Sequence, residues 1–332
     1  MKTYVDPERV NILEGRSLTY RKSLSYWIFM DALRTYLGVT EDTPENLVED
    51  RLRQKVQSLL GNNAAKIFPF LQRLLSPGLL GKGVAAQIEI LDAERLRQQI
   101  FLAVREWLIA EARKKPVILI LEDLHWADDA SVELVYFLLD ALRDVPLLIY
   151  GITRPYQDGP MKKVEERARE RIPDRLTMVE LHNLSQAESN QLLDQLLTIP
   201  DFPADVLEQI IQKSAGVPFY LEEILRMLIE GKAIRQEGDH WRLVPGVELK
   251  TLGVPDTLND LILTRFDRLD AVGKRVLQTT CVIGREFNFA ILRQALAEQL
   301  DEKRFSVPSW TWSLASLFFL CRILRPRYCR EI

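Results

Sequence analysis

The chain has 332 residues, more than one compact core usually holds, and 47% of them are hydrophobic, so two or three domains with ample apolar cores are expected. Its 44 basic and 47 acidic residues leave a net charge of −3, which advertises neither a nucleic-acid surface nor an acidic tail. Three cysteines, Cys281, Cys321 and Cys329, without C-x-x-C spacing, argue against a disulfide framework or a zinc site and for a reducing, cytoplasmic setting.

The opening "MKTYVDPERVNILEG" lacks the apolar core of a signal peptide, and "VNILEG" at 10–15 reads as a short strand. "SLSYWIFMDALRTYL" at 23–37 follows as a helix with Trp27, Met30, Leu33 and Leu37 on one face. From 45 to 113 the periodicity is helical, with breaks expected at Asn62, Pro69 and the loop "SPGLLGKG". The last helix of that stretch, "AERLRQQIFLAVREWLIAEARKK", should stop before Pro116, because a proline excludes its predecessor from helical geometry.

Next comes an alternation that sets the fold class. "VILIL" at 117–121 and "LLIYGI" at 147–152 are continuous apolar runs of the kind that parallel strands buried on both faces show. A helix of roughly 130–143 joins them into a βαβ unit, and "TMVEL" at 177–181 is expected to add a further strand. The first half is therefore α/β with a parallel sheet.

After 183 the strands give way to helices. "NLSQAESNQLLDQLL" opens with Ser185 and Glu188 in capping-box spacing, and Gly216 and Gly231 are expected as left-handed helix stops. "AIRQEGDHWRLV" reads as a hairpin turning at Glu237, Gly238 and Asp239. Two or three helices follow from Pro255. The resulting partition is an α/β core over 1–183, a helical lid with hairpin over 184–252, a partial winged-helix-like domain over 253–300 and an irregular tail over 301–332.

The chemistry concentrates in "LILEDLHWADDASVELV", where a buried strand ends on Glu122 and Asp123 side by side. Ligands of parallel α/β sheets bind beyond the carboxyl ends of the strands, and two acids there make sense if a cation shares the site. Magnesium takes hard oxygen ligands, keeps several waters and bridges carboxylates to phosphates. One acid can hold the ion while the next orients or deprotonates the attacking water, which is the Walker B arrangement. The plainer alternative is that the acids only cap the following helix, a role that suits Asp128 or Asp129. His125 and Trp126 read as a packed pair, and His182 and His240 as incidental.

This block closely resembles the Walker B segment of the STAND class of P-loop ATPases, the AAA-type modules of bacterial cyclase-associated and LuxR-like regulators. The resemblance runs in order over about residues 10–300. "EGRSLTYRKSLSYWIFMDALR" is similar to the segment that follows the P-loop helix, and "LLIYGITRP" to the sensor strand. "SAGVPFYLEEIL" is similar to the G-x-P element of the lid, and "VPDTLNDLILTRFDRL" to the start of the winged helix. It implies a P-loop NTPase core with a helical lid and a winged-helix-like domain, and ATP with magnesium as ligands. By the same resemblance Glu122 is the magnesium-side acid, Asp123 the catalytic acid, Arg154 the sensor facing the terminal phosphate, and Gly216 and Pro218 the lid contacts near the adenine.

One element of that pattern is missing. The P-loop signature G-x-x-x-x-G-K-[ST] does not occur, and the nearest match, "SPGLLGKG" at 76–83, follows a helical pattern where a strand is required, so Lys82 is not a phosphate ligand. In family order the P-loop strand would precede residue 10 and lie beside the Walker B strand, so its absence would leave strand edges unpaired. The chain thus reads as an internal fragment of a signalling ATPase, with little or no nucleotide binding alone. The alternative is a non-catalytic interaction module that pairs with a separately encoded P-loop half or self-associates.

A third reading, DNA binding by the winged-helix-like region, meets Asp256, Asp260, Asp267 and Asp270 among its basic residues, so no nucleic-acid partner is expected. The tail "SVPSWTWSLASLFFLCRILRPRYCREI" holds two of the six tryptophans and two of the three cysteines, the abrupt change that a frameshift produces; a genuine apolar docking helix is the other reading. Its uncharged run at 307–321 is shorter than the roughly 18 residues a membrane span needs, so no membrane partner is expected.

Overall fold

The computed structural model describes residues 6, 8–18, 21, 24–40, 43–76, 88, 90–140, 145–155, 158–196, 203–237, 240–244, 271–283 and 289–296, with isolated positions between 257 and 270. The chain divides into two compact units between Met178 and Val179.

The first unit is built on three parallel strands. β1 (Asn11–Arg16), β2 (Val117–Glu122) and β3 (Leu147–Gly151) lie in that order, so the strand that carries the paired acids is the middle one. The register sets Arg16 opposite Glu122 and Leu121 opposite Gly151. β2 is hidden on both faces, with Leu119 and Leu121 fully buried on one and Ile120 4% exposed on the other, which is why its sequence is an unbroken apolar run. β3 is not: Leu148 and Tyr150 are 49% and 43% exposed. Both neighbours of β2 are filled, so the expectation of an open edge beside the Walker B strand is corrected. The outer sides of β1 and β3 are the edges without a strand partner among the described residues.

Helices cover this sheet. They are α1 (Trp27–Leu37), α2 (Glu45–Leu60), α3 (Ala64–Leu75), α4 (Ala93–Lys114), α5 (Asp129–Leu139) and α6 (Pro160–Arg171). Their shared core includes Ile28, Phe29, Leu33, Leu71, Trp107, Leu108, Leu134 and Leu138. Each such side chain contributes about 1.5–3 kcal/mol by leaving water. α4 begins where Asp92 accepts from the Arg95 N–H at 2.8 Å, carries Arg113 and Lys114 in its last turn, and stops ahead of Pro116 as expected. Glu111 of α4 is buried and accepts from Asn11 Nδ2 at 3.0 Å and from the Tyr36 hydroxyl. Burial and that carboxylate hold the Tyr36 phenol well above its usual value.

Gly15 sits where β1 meets α1. A Cβ there would stand 2.0 Å from the Ile28 carbonyl oxygen, so no other residue allows this close approach.

Three local expectations change. The break at Asn62 is present as a single 3-10 turn over Gly61–Asn63, but Pro69 lies inside α3, whose buried Phe68, Leu71, Leu74 and Leu75 offset the one backbone hydrogen bond a proline removes. "TMVEL" forms no strand: Met178, Val179 and Leu181 are 52%, 74% and 89% exposed, because no sheet edge is paired with them. Gly231 has φ −74°, and the left-handed residue at that helix end is Lys232, at φ 56°.

The second unit contains α7 (Gln186–Leu196), α8 (Ala204–Ser214) and α9 (Pro218–Glu230), closed by the antiparallel hairpin β4 (Ile234–Glu237) and β5 (His240–Leu243). Ile210, Leu221, Ile224 and Leu228 centre its core. Two further helices, α10 (Ala271–Ile283) and α11 (Phe289–Leu296), pack together. The hairpin tip at 238–239, Lys82, Asp256 and the tail beyond 296 lie outside the described residues. No helix among the described residues is long and apolar enough to cross a membrane.

Candidate functional site

The site grows from the way β2 ends. Glu122 is its last residue, half-buried, with its carbonyl accepting from the Ser17 N–H at 3.0 Å. Asp123 then turns the chain out of the sheet at φ 57°, a left-handed conformation for a residue with a Cβ. Such a conformation costs on the order of 1 kcal/mol and persists where its surroundings over-determine it.

Those surroundings are on all sides. The Leu124 N–H donates to the Ile152 carbonyl at 3.0 Å, and Ile152 N–H donates to the Leu121 carbonyl at 2.9 Å, so the turn is stitched to the strand end before Arg154. A 3-10 turn over Leu124–Trp126 follows, closed by the Trp126 N–H on the Asp123 carbonyl at 2.8 Å. From the other side, Arg16 Nε donates to Asp123 Oδ2 at 2.8 Å, with the two side chains 22% and 33% exposed.

His125 and Trp126 stack obliquely at 5.1 Å, the packed pair expected from their adjacency. Both His125 ring nitrogens are buried, without a hydrogen-bond partner among the described residues. Burial chiefly, and then the Arg154 cation, push its pKa below 6.5, while Asp123 pulls the other way. The imidazole is thus a neutral group under the influence of both. Arg154 itself is exposed, just beyond β3 at the same carboxyl end of the sheet.

Asp128 takes the capping role, and more than one. Its Oδ1 accepts from the Ser131 N–H and from the Tyr26 N–H, each at 2.9 Å. Its Oδ2 accepts from Ser131 Oγ at 2.6 Å and from the Trp27 N–H at 3.3 Å. One buried carboxylate therefore caps α5 and also secures the start of α1, where Tyr26 is left-handed at φ 65°. The last acid of H-W-A-D is a junction between two helices rather than a ligand.

In the second unit Gly216 is left-handed at φ 72°, following Ala215 at φ 49° after α8. A Cβ on Gly216 would meet the Leu184 carbonyl oxygen at 2.1 Å, and the Gly216 carbonyl accepts from the Leu184 N–H at 2.7 Å. Pro218 is the first residue of α9, where a missing N–H costs nothing. Both positions have a clear structural reason for their residue type. The Ser185–Glu188 capping box forms as read: the Ser185 N–H donates to Glu188 Oε2 at 2.8 Å and the Glu188 N–H to Ser185 Oγ at 3.3 Å.

The acids can be asked whether they suit a cation. Among the described residues no cluster of three or more His, Cys, Asp or Glu side chains forms a ready cage for a metal ion. Two adjacent carboxylates at a strand end offer hard oxygens without a full shell, which fits magnesium that keeps waters and takes the remaining ligands from phosphate.

Comparison with known proteins adds an independent line. The AAA ATPase domain family model matches residues 2–150, which takes in Arg16, Glu122 and Asp123 and ends before Arg154. A domain of unknown function (DUF8739) matches 185–242, the stretch that contains Gly216 and Pro218. Adenylate cyclase type 10 of Rattus norvegicus is 21% identical over 235 residues, covering 60% of this chain and 14% of that protein. The Oryctolagus cuniculus protein of the same name is 19% identical over 292 residues, covering 76% and 17%. An uncharacterized protein of Rhizobium meliloti (strain 1021) is 24% identical over 248 residues, covering 71% and 21%. The match spans at most 21% of the length of these relatives. The family match supports an AAA-type ATPase module in the first half of the chain, on a core of helices around a small parallel sheet.

Proposed function

We propose that this chain is the Walker B, sensor and lid portion of a STAND/AAA-type signalling ATPase, in which ATP and magnesium bind at the carboxyl end of the parallel sheet. The observation that carries the reading is the exit of Glu122 and Asp123 from the middle strand, within the stretch that matches the AAA ATPase domain. Magnesium, when bound, would neutralise phosphate charge. Glu122 holds the cation side of the site. Asp123 orients the attacking water and takes its proton, and Arg154 senses the terminal phosphate. Gly216 and Pro218 form the lid element near the adenine, and nucleotide shifts the population between open and closed arrangements of core and lid. The likeness to parts of adenylate cyclase type 10 supports the AAA-type module.

The phosphate cradle must come from outside these 332 residues, since no G-x-x-x-x-G-K-[ST] occurs in them. Calorimetric titration with ATP and magnesium tests this, on the full chain alone and with a P-loop polypeptide supplied. Binding is expected only in the second case, and Glu122→Gln should then weaken its magnesium dependence at least tenfold. Hydrolysis by the chain alone that Glu122→Gln abolishes would overturn the requirement for a supplied P-loop. An unaltered titration of Glu122→Gln with the P-loop present would overturn the role of that acid.

The outer edge of β3 favours a second reading, that of a non-catalytic module which pairs with a separately encoded P-loop half or with itself. Strand alternation turns the N–H and C=O groups of Ile149 and Gly151 away from β2, beside the exposed Leu148 and Tyr150. Capture of the P-loop polypeptide with no Glu122-dependent nucleotide binding is the result this reading expects.

A further inference from the structure

The carboxyl end of β1 holds polar groups that the nucleotide reading leaves unused. Arg16 directs Nε at Asp123 Oδ2, 2.8 Å away, across 107 residues of sequence. Its own backbone N–H is fixed by Asp31 Oδ2 at 2.8 Å, so the residue is anchored to α1 and only its side chain can move. Next to it Ser17 is 3% exposed, and its Oγ has no partner among the described residues. The register sets Arg16 beside Glu122 across the strand pair, and the Ser17 N–H donates to the Glu122 carbonyl at 3.0 Å.

We propose that Arg16 is a positioning residue for Asp123, holding its carboxylate as an internal counter-ion until a divalent cation competes for the same oxygen. This rests on the proposed cation site at Glu122, and extends it to the Asp123 carboxylate when no nucleotide is bound. A carboxylate oxygen that already accepts a charge-assisted bond from a guanidinium is a weaker metal ligand than a solvated one. A divalent ion arriving beside that guanidinium also meets like charge, so occupancy by the ion and retention of the bond oppose each other. The bond does a second job, since it helps to keep Asp123 in its left-handed turn. Arginine suits both tasks: its fork is directional and its charge permanent, whereas lysine supplies only the charge. Partial exposure of the Arg16 side chain, at 22%, gives it a path into solvent when displaced.

Manganese(II) provides the probe, with free ion read by electron paramagnetic resonance on the full chain. Arg16→Gln removes the charge and should tighten manganese binding about tenfold. Arg16→Lys keeps the charge and should stay within about threefold of the parent. Arg16→Gln combined with Asp123→Asn should lose the whole gain, because the gain acts through that carboxylate. Arg16→Met, which keeps the apolar stem, repeats the test if the glutamine variant fails to fold. Unchanged affinity in folded Arg16→Gln and Arg16→Met, with binding still weakened by Asp123→Asn, would overturn the counter-ion role and leave the acids as cation ligands. Absence of Asp123-dependent binding in every variant would overturn both, and a gain that survives Asp123→Asn would overturn the proposal alone.

Discussion

Replacing Asp128 by alanine removes one carboxylate from two helices at once. The loss orphans the Ser131 N–H and hydroxyl at the head of α5 and the Tyr26 and Trp27 N–H groups at the head of α1. An N-cap is worth about 1 kcal/mol, and each buried donor left without a partner costs about 1–3 kcal/mol where water cannot reach it. Asp128 is 7% exposed, so water reaches little of the space left behind. Allowing for partial rehydration, the sum comes to about 3–5 kcal/mol, or a melting temperature lower by roughly 10 °C for a unit of this size. Asparagine keeps one acceptor oxygen and turns the other into a donor that faces donors, so about half the loss is expected. Thermal and urea unfolding of both variants, followed by far-UV circular dichroism, measures this. A loss below about 1 kcal/mol for Asp128→Ala, or equal losses for alanine and asparagine, would refute the double-cap account.

Two further outcomes follow from the described geometry. Gly216→Ala forces a Cβ to 2.1 Å from the Leu184 carbonyl in a left-handed conformation, and should destabilise the second unit by roughly 2–4 kcal/mol, read as faster amide exchange across α8 and α9. Native-like protection there would show that the backbone yields more cheaply than supposed. The depressed pKa of His125 means that the folded state favours neutral imidazole, so the unfolded chain takes up the proton first as pH falls through 6.5. Stability from this group is full above that pH and declines below it. His125→Gln should flatten the slope between about pH 7 and 5.5; parallel slopes in parent and variant would count against burial as the cause.

Periodicity found what local forces decide. β2 and β3 stand where continuous apolar runs stand, but only β2 is hidden on both faces, where a strand has no polar side to alternate with. Pro116, Asp128 and the Ser185–Glu188 pair punctuate the helices by mechanisms confined to a few residues. Pro69 and "TMVEL" depart from the sequence expectation for a shared reason: their state depends on tertiary neighbours, a buried helix face in one case and the lack of a paired sheet edge in the other. The candidate site was legible in part. Glu122, Asp123 and Arg154 follow strand ends and could be read there, whereas Arg16 becomes visible only when parallel register sets it across from Glu122. Gly15 gave no signal either, since the approach of Ile28 that demands it belongs to packing.

The left-handed turn at Asp123 governs how this acid is aimed. A carboxylate on an ordinary strand residue is steered by its own rotamers, but here the backbone has already swung the residue out of the sheet, and the hydrogen bond from Leu124 to Ile152 couples that swing to the neighbouring strand end. The turn behaves as a pivot with one arm on the acid and the other on the segment leading to Arg154. The acid and the cation are therefore joined through the main chain, by two hydrogen bonds between the turn and the segment that leads to Arg154.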